Sequence, residues 1–132
     1  MEEAQTKDFI NKDFIYAIVG ATANKNKYGY KVLVDLKNKG FKVVPVNPKY
    51  EEVAGVPCSP DLISLEERPD VVILIVGQEN AKKIVKECLD LKLNRLWFQP
   101  GSEFRDAINM AQSAGFKIMV DKCIMMETEN LI

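Results

Sequence analysis

Five short apolar runs punctuate the chain, at 14–19, 42–46, 71–76, 95–98 and 117–120. They are rich in β-branched and aromatic residues and carry apolar side chains at successive positions. That pattern marks strands covered on both faces, as in a parallel sheet. Between the runs the period becomes helical. Ala81, Ile84, Val85, Cys88 and Leu89 fall on one helical face, and Lys82, Lys83, Lys86 and Asp90 on the other. Phe104, Ala107, Ile108 and Ala111 repeat the pattern, with Ser102 as the expected N-cap and Gly115 as the stop. Gly29, Val32, Leu33 and Leu36 do the same ahead of Gly40. Ser59-Pro60 reads as a short capped helix or a turn, with Pro60 suited to a first helical position. Residues 1–12 read as an added helix against the sheet.

Strand and helix thus alternate up to a fifth strand. Right-handed crossovers fold such a chain into an α/β, Rossmann-like, doubly wound and mainly parallel five-stranded sheet with helices on both faces. One domain over residues 1–132 accounts for the whole pattern. Pro45, inside the second run, requires that its missing N–H face an edge or a bulge.

Ligands of such sheets gather beyond the carboxyl ends of the strands. The first run ends in Gly20-Ala21-Thr22-Ala23-Asn24-Lys25-Asn26-Lys27-Tyr28-Gly29 and leads into a helix. A glycine turn at a helix start suits a pyrophosphate, to which Thr22 adds a hydroxyl and Lys25 and Lys27 add charge. The loop lacks the dinucleotide fingerprint GxGxxG, because positions 22 and 25 are Thr and Lys, and it lacks the GxxxxGK[ST] phosphate loop. The second run ends in Asn47-Pro48-Lys49 with no acid for the ribose hydroxyls of NAD. A cation there suits an extra ribose phosphate, as in coenzyme A or NADP. Gly77 and the stretch Gln99-Pro100-Gly101-Ser102 open two further helices on the same side, and Gln99 could bond to an amide of a pantetheine arm. Trp97 is expected in the core. Cys123 is expected as a buried thiol, with approach to a cofactor thiol as the alternative.

Composition narrows the chemistry. The chain has 132 residues, 47% apolar and 28% charged, with a net charge of -1. That is a folded domain without the basic excess of a nucleic-acid binder. Histidine is absent, which removes Ser–His and Cys–His nucleophile systems and histidine-held metals. The three cysteines, Cys58, Cys88 and Cys123, are scattered and read as reduced thiols in a cytoplasmic protein. No apolar run reaches the roughly 18 residues that span a membrane. No catalytic constellation and no metal site are expected.

The run IYAIVGATANKNKYGYKVLVDLKNKGFKVVPVNPKYEEVAG, followed in order by PDVVILIV, LWFQPGS and AGFKIMVDKCIMME, resembles the small stand-alone CoA-binding proteins. These are similar to the N-terminal domain of the succinyl-CoA synthetase α subunit. The resemblance implies coenzyme A or acyl-CoA as the ligand. It places the pyrophosphate on Gly20, Ala21, Thr22 and Tyr28, and the adenosine end on Asn47, Pro48 and Lys49, with Lys49 toward the 3′-phosphate. Val76 and Gly77 would flank the nucleotide or the start of the pantetheine arm, and Gln99, Pro100 and Gly101 would line the arm's path. Relatives commonly carry His where this chain has Thr128. The expected role is a non-catalytic module that senses CoA or presents it to a partner. The alternatives are an NADP-dependent reductase and an accessory subunit of an acyl-CoA ligase. The apolar stretch Cys123-Ile124-Met125-Met126, with Leu131 and Ile132, would cover a sheet edge or meet a second subunit.

Overall fold

The computed structural model describes residues 4–129. Five parallel strands form the main sheet: β1 (Ile15–Val19), β2 (Lys42–Val46), β5 (Val71–Leu74), β6 (Arg95–Phe98) and β7 (Lys117–Met119), in the order β2-β1-β5-β6-β7. A two-stranded antiparallel hairpin, β3 (Glu52–Val53) with β4 (Val56–Pro57), lies between β2 and β5. The helices are α1 (Tyr28–Asn38), α2 (Gln78–Leu91), α3 (Arg105–Ser113) and the short α4 (Ile124–Glu127).

The apolar runs at successive positions have the cause expected of them. Tyr16, Ile18, Val71, Ile73 and Trp97 point to one face, where α1, α4 and Phe9 cover them. Ala17, Val19, Val72, Leu74, Leu96 and Phe98 point to the other face, against α2 and α3. Both layers are dry, and the sheet is the doubly wound Rossmann-like form expected. Trp97 is fully buried, packs edge-on to Phe9 at 5.4 Å, and satisfies its indole N–H on the Lys122 carbonyl at 2.9 Å.

Pro45 pairs with Ile18 in the edge strand β2. The Val46 carbonyl turns inward to accept from Gly20, so the Pro45 nitrogen turns outward, and its carbonyl accepts from Ser59 at 3.0 Å. The missing donor therefore interrupts no ladder bond.

Two expectations are corrected, and Ser59-Pro60 takes the turn of its two expected forms. Residues 4–12 hold one 3-10 turn, Thr6–Asp8, in place of the expected helix, and residues 1–3 lie outside the description, as do Leu131 and Ile132. That turn is held by Tyr16, whose hydroxyl donates to the Phe9 carbonyl at 2.6 Å, and by Thr6, whose hydroxyl donates to Glu127 at 3.2 Å. Ser59-Pro60 opens a turn and no helix, with the Ser59 hydroxyl on the Asp61 carbonyl at 2.7 Å. Ser102 does not cap α3, whose N-cap is Phe104; instead its hydroxyl accepts the Val76 N–H at 3.0 Å. The β3–β4 hairpin was not foreseen. It turns at Ala54-Gly55 with φ of 51° and 80°, the conformation of a tight two-residue hairpin.

Candidate functional site

Strand order reverses at β1, which has β2 on one side and β5 on the other, and the carboxyl ends of these three strands frame an open cleft of about 560 Å³. Gly20, Thr22 and Tyr28 line it from the β1–α1 loop, Asn47 and Lys49 from the segment after β2, and Ile75 from the end of β5. Asn26, Lys27, Gly29 and Tyr50 complete the lining.

Two glycines allow the loop its path. Gly20 has φ +97°, and a Cβ there would fall well inside contact distance of the Ile75 carbonyl oxygen. A Cβ on Gly29 would drive into the Gly20 carbonyl oxygen. The first turn of α1 therefore packs directly on the strand end, which brings the helix's N–H groups to the cleft. No side chain caps that turn. The loop is otherwise self-supporting: Thr22 Oγ1 accepts the Asn24 N–H at 3.2 Å, and Asn24 Oδ1 accepts the Asn26 N–H at 3.0 Å.

Asn47 ties the two loops. Its side-chain amide donates to the Ala21 carbonyl at 2.8 Å, its Oδ1 accepts the Lys49 N–H at 2.9 Å, and its backbone N–H donates to Ser59. Much of the capacity that the sequence reading offered to a ribose is thus used in fixing the loops. Cys58, whose thiol burial pushes up, donates to the Asn47 carbonyl at 3.5 Å. Tyr50 crosses the gap, with its hydroxyl 3.1 Å from Thr22 Oγ1. That bond, helped by Lys49 and Lys27, lowers the phenol below its ordinary pKa.

The residues singled out from sequence divide by place. Gly20, Thr22, Tyr28, Asn47 and Lys49 share the cleft. Ala21 is buried beneath it, while Lys25 and Pro48 stand exposed outside its lining. Val76 and Gly77 follow β5, and Pro100 and Gly101 are exposed after β6. Gln99 is 2% exposed, and its amide is held within the fold: Oε1 accepts the Ile124 N–H at 2.8 Å and Nε2 donates to Cys123 Sγ at 3.5 Å. Thr128 is buried, with its hydroxyl donating to Ile124 and accepting from Lys39 at 3.0 Å. Lys39 ends α1, so this position lies roughly 16 Å along the helix from Tyr28, at 1.5 Å per residue. Lys27, expected to add charge, lines the cleft, whereas Tyr50, Asn26 and Ile75 were missed. Lys27 and Asn26 lay within the stretch already quoted as the loop, and Tyr50 directly follows Asn-Pro-Lys, but only the fold shows which of them face inward.

Among the described residues no acid lines the cleft. Among the described residues no three potential ligand side chains gather to hold a metal, and no helix is long and apolar enough to cross a membrane. What gathers at the switch point is a set of donors: the hydroxyls of Thr22, Tyr28 and Tyr50, two ammonium groups and a helix start.

A family profile described as CoA binding domain matches residues 15–129. The chain belongs to the CoA binding domain family. A conserved hypothetical protein from Pyrococcus furiosus has a similar structure, with a TM-score of 0.82 and 37% identity, covering 87% of this chain and 98% of that one. An acetate–CoA ligase (ADP-forming) of Archaeoglobus fulgidus is 27% identical over 126 residues, which are 87% of this chain and 18% of the ligase. An uncharacterised Bacillus subtilis protein, YneT, is 24% identical and matches along 92% of this chain and 90% of its own length. The chain thus spans about a fifth of the ligase it resembles and nearly all of YneT. Relatives occur at both scales.

Proposed function

We propose that the chain binds coenzyme A, free or acylated, across the carboxyl ends of β1, β2, β5 and β6, as a non-catalytic module that senses the cofactor or presents it to a partner. The observation that carries this reading is the cleft at the switch point, rich in donors and without carboxylates. Thr22 and Tyr50 offer hydroxyls there, Lys27 and Lys49 offer charge, and the uncapped start of α1 offers amides. Such a lining fits a polyphosphate and leaves a ribose diol without its usual acid. Family membership supports the same cofactor.

In this reading Gly20, Ala21, Thr22 and Tyr28 hold the pyrophosphate, with Lys25 adding charge from outside. Asn47, Pro48 and Lys49 meet the adenosine end. Val76, Gly77, Pro100 and Gly101 border the path of the pantetheine arm, where Gln99 serves as a fixed wall. When bound, CoA supplies a thiol that carries acyl groups; this chain's residues bind and orient it.

Calorimetry on ligand-stripped protein with CoA, dephospho-CoA, NADPH and NADH tests the proposal. Binding of CoA with NADPH and NADH silent is the expected result. Preference for NADPH would replace the reading with a reductase, and silence from all four would sink it.

The match to an ADP-forming ligase favours one second reading, that this chain is the CoA-holding part of an acyl-CoA ligase completed by another chain. The chain alone, given acetyl-CoA, ADP and phosphate, should then form no ATP. Turnover by the chain alone would refute the non-catalytic assignment.

A further inference from the structure

The cleft contains one residue pair whose hydrogen-bonding capacity the fold does not use up. Tyr50 is fixed at both ends. Its backbone follows the Asn47 turn and precedes the β3–β4 hairpin, and its ring packs against the core that α1 covers. Tyr50 lines the cleft, and its hydroxyl meets Thr22 Oγ1 at 3.1 Å. Two hydroxyls joined by one hydrogen bond consume one proton and keep the other. Either hydroxyl can donate to the other, so one hydroxyl proton of the pair is left for an occupant of the cleft, and it is the phenol's when Thr22 is the donor. Lys27 and Lys49 line the same space, and neither has an acidic partner among the described residues. A donor next to two uncompensated cations is built for an anion.

We propose that Tyr50 is a ligand-contacting residue: its phenol donates to a phosphoryl oxygen of the bound pyrophosphate, and with Thr22 it closes a two-hydroxyl clasp from the β1–α1 loop to the segment after β2. This rests on the CoA reading for the identity of the ligand, although the clasp itself needs only a pyrophosphate.

The test is calorimetry of wild type and Tyr50→Phe with two probes, CoA and inorganic pyrophosphate. Phenylalanine keeps the packed ring and removes only the hydroxyl, and far-UV circular dichroism verifies the fold of each protein. The expected result is a Kd raised about tenfold for both probes, as for loss of one bond to a charged group. If CoA binds and Tyr50→Phe changes its Kd less than twofold, the clasp is wrong while the CoA reading stands. If pyrophosphate binds with the expected sensitivity to Tyr50→Phe and CoA does not bind, the clasp stands and the CoA reading fails. Absence of binding by either probe to wild type overturns both.

Discussion

The side-chain amide of Asn47 donates to the carbonyl of Ala21 at 2.8 Å, and this bond, with the Thr22–Tyr50 contact, holds the loop after β1 to the segment after β2. The acceptor half of the same amide fixes the turn itself through Lys49 N–H. Asn47→Ala removes both bonds and is expected to cost about 1–2 kcal/mol of stability, measured by urea unfolding, together with CoA affinity. Asn47→Asp keeps an acceptor for Lys49 but sets a carboxylate against the Ala21 carbonyl and the anionic ligand, so it should bind CoA more weakly than Asn47→Ala. The reverse order would show that the amide does not space the loops.

Lys49 is exposed at the cleft rim, and no acid pairs with it among the described residues. Lys49→Ala should weaken CoA by about 1–3 kcal/mol and dephospho-CoA by clearly less, since only CoA carries the 3′-phosphate. The difference should shrink as salt is raised. Equal losses for the two ligands would take Lys49 away from that phosphate.

Gly29 has ordinary helical geometry, so its substitution tests space alone. A methyl group there meets the Gly20 carbonyl oxygen, which is backbone and cannot swing aside. Gly29→Ala is expected to cost about 1–3 kcal/mol despite alanine's better helix propensity, read as a lower urea midpoint at unchanged slope. A stabilised variant would mean that the helix stands off the strand.

Gln99 is a buried side chain whose partners lie in the segment leading into α4. Gln99→Leu preserves bulk and leaves the Ile124 N–H without its acceptor, for a cost of about 1–3 kcal/mol. Amide exchange at Ile124 should quicken. If stability were unchanged while CoA binding collapsed, the amide would be serving the ligand.

Alkaline pH should loosen the core in a defined window. Burial, with the charge of Glu87, pushes the Cys88 thiol up to about 12 from 9.0, and burial chiefly, with Asp70 adding to it, pushes the Tyr16 phenol up to about 12 from 10.0. Both groups keep their protons in the folded state after the unfolded chain has lost them. Their contribution is complete below about pH 9 and is lost as the pH rises from there toward 12, at up to about 1.4 kcal/mol per pH unit for each group. Urea unfolding from pH 8 to 11 checks this. Cys88→Ala should delay the onset toward pH 10, where Tyr16 begins to act.

The central strands were legible because they are buried on two faces, so Val71, Val72, Ile73 and Leu74 are apolar without a break. The glycine turn was legible because a positive φ at a strand end demands Gly20. The short β3–β4 ladder was not, since two-residue strands carry no periodicity and alanine is an unusual occupant of a left-handed turn position. Ser102 misled because a hydroxyl near a helix start has the same appearance whether it caps its own helix or, as here, receives the Val76 amide from the segment after β5. Gln99 and Tyr50 changed weight for a related reason. Residue type announces a capacity for hydrogen bonds, and only the packed neighbours decide whether that capacity points inward to Ile124 or outward to the cleft.

Thr6 reaches Glu127, and Lys122 lies 3.7 Å from the same carboxylate, so the first and last described turns are clasped together. They meet beside α4, where Lys39 at the far end of α1 also anchors. A polypeptide folded this way is entered and left through a single doorway, turned away from Tyr28. Such a piece can be strung before, after or inside a longer chain as a bead on a thread, its sheet and its cleft undisturbed. Stretches similar to this chain run along nearly all of YneT and along about a fifth of the ligase, the two settings that such a doorway suits.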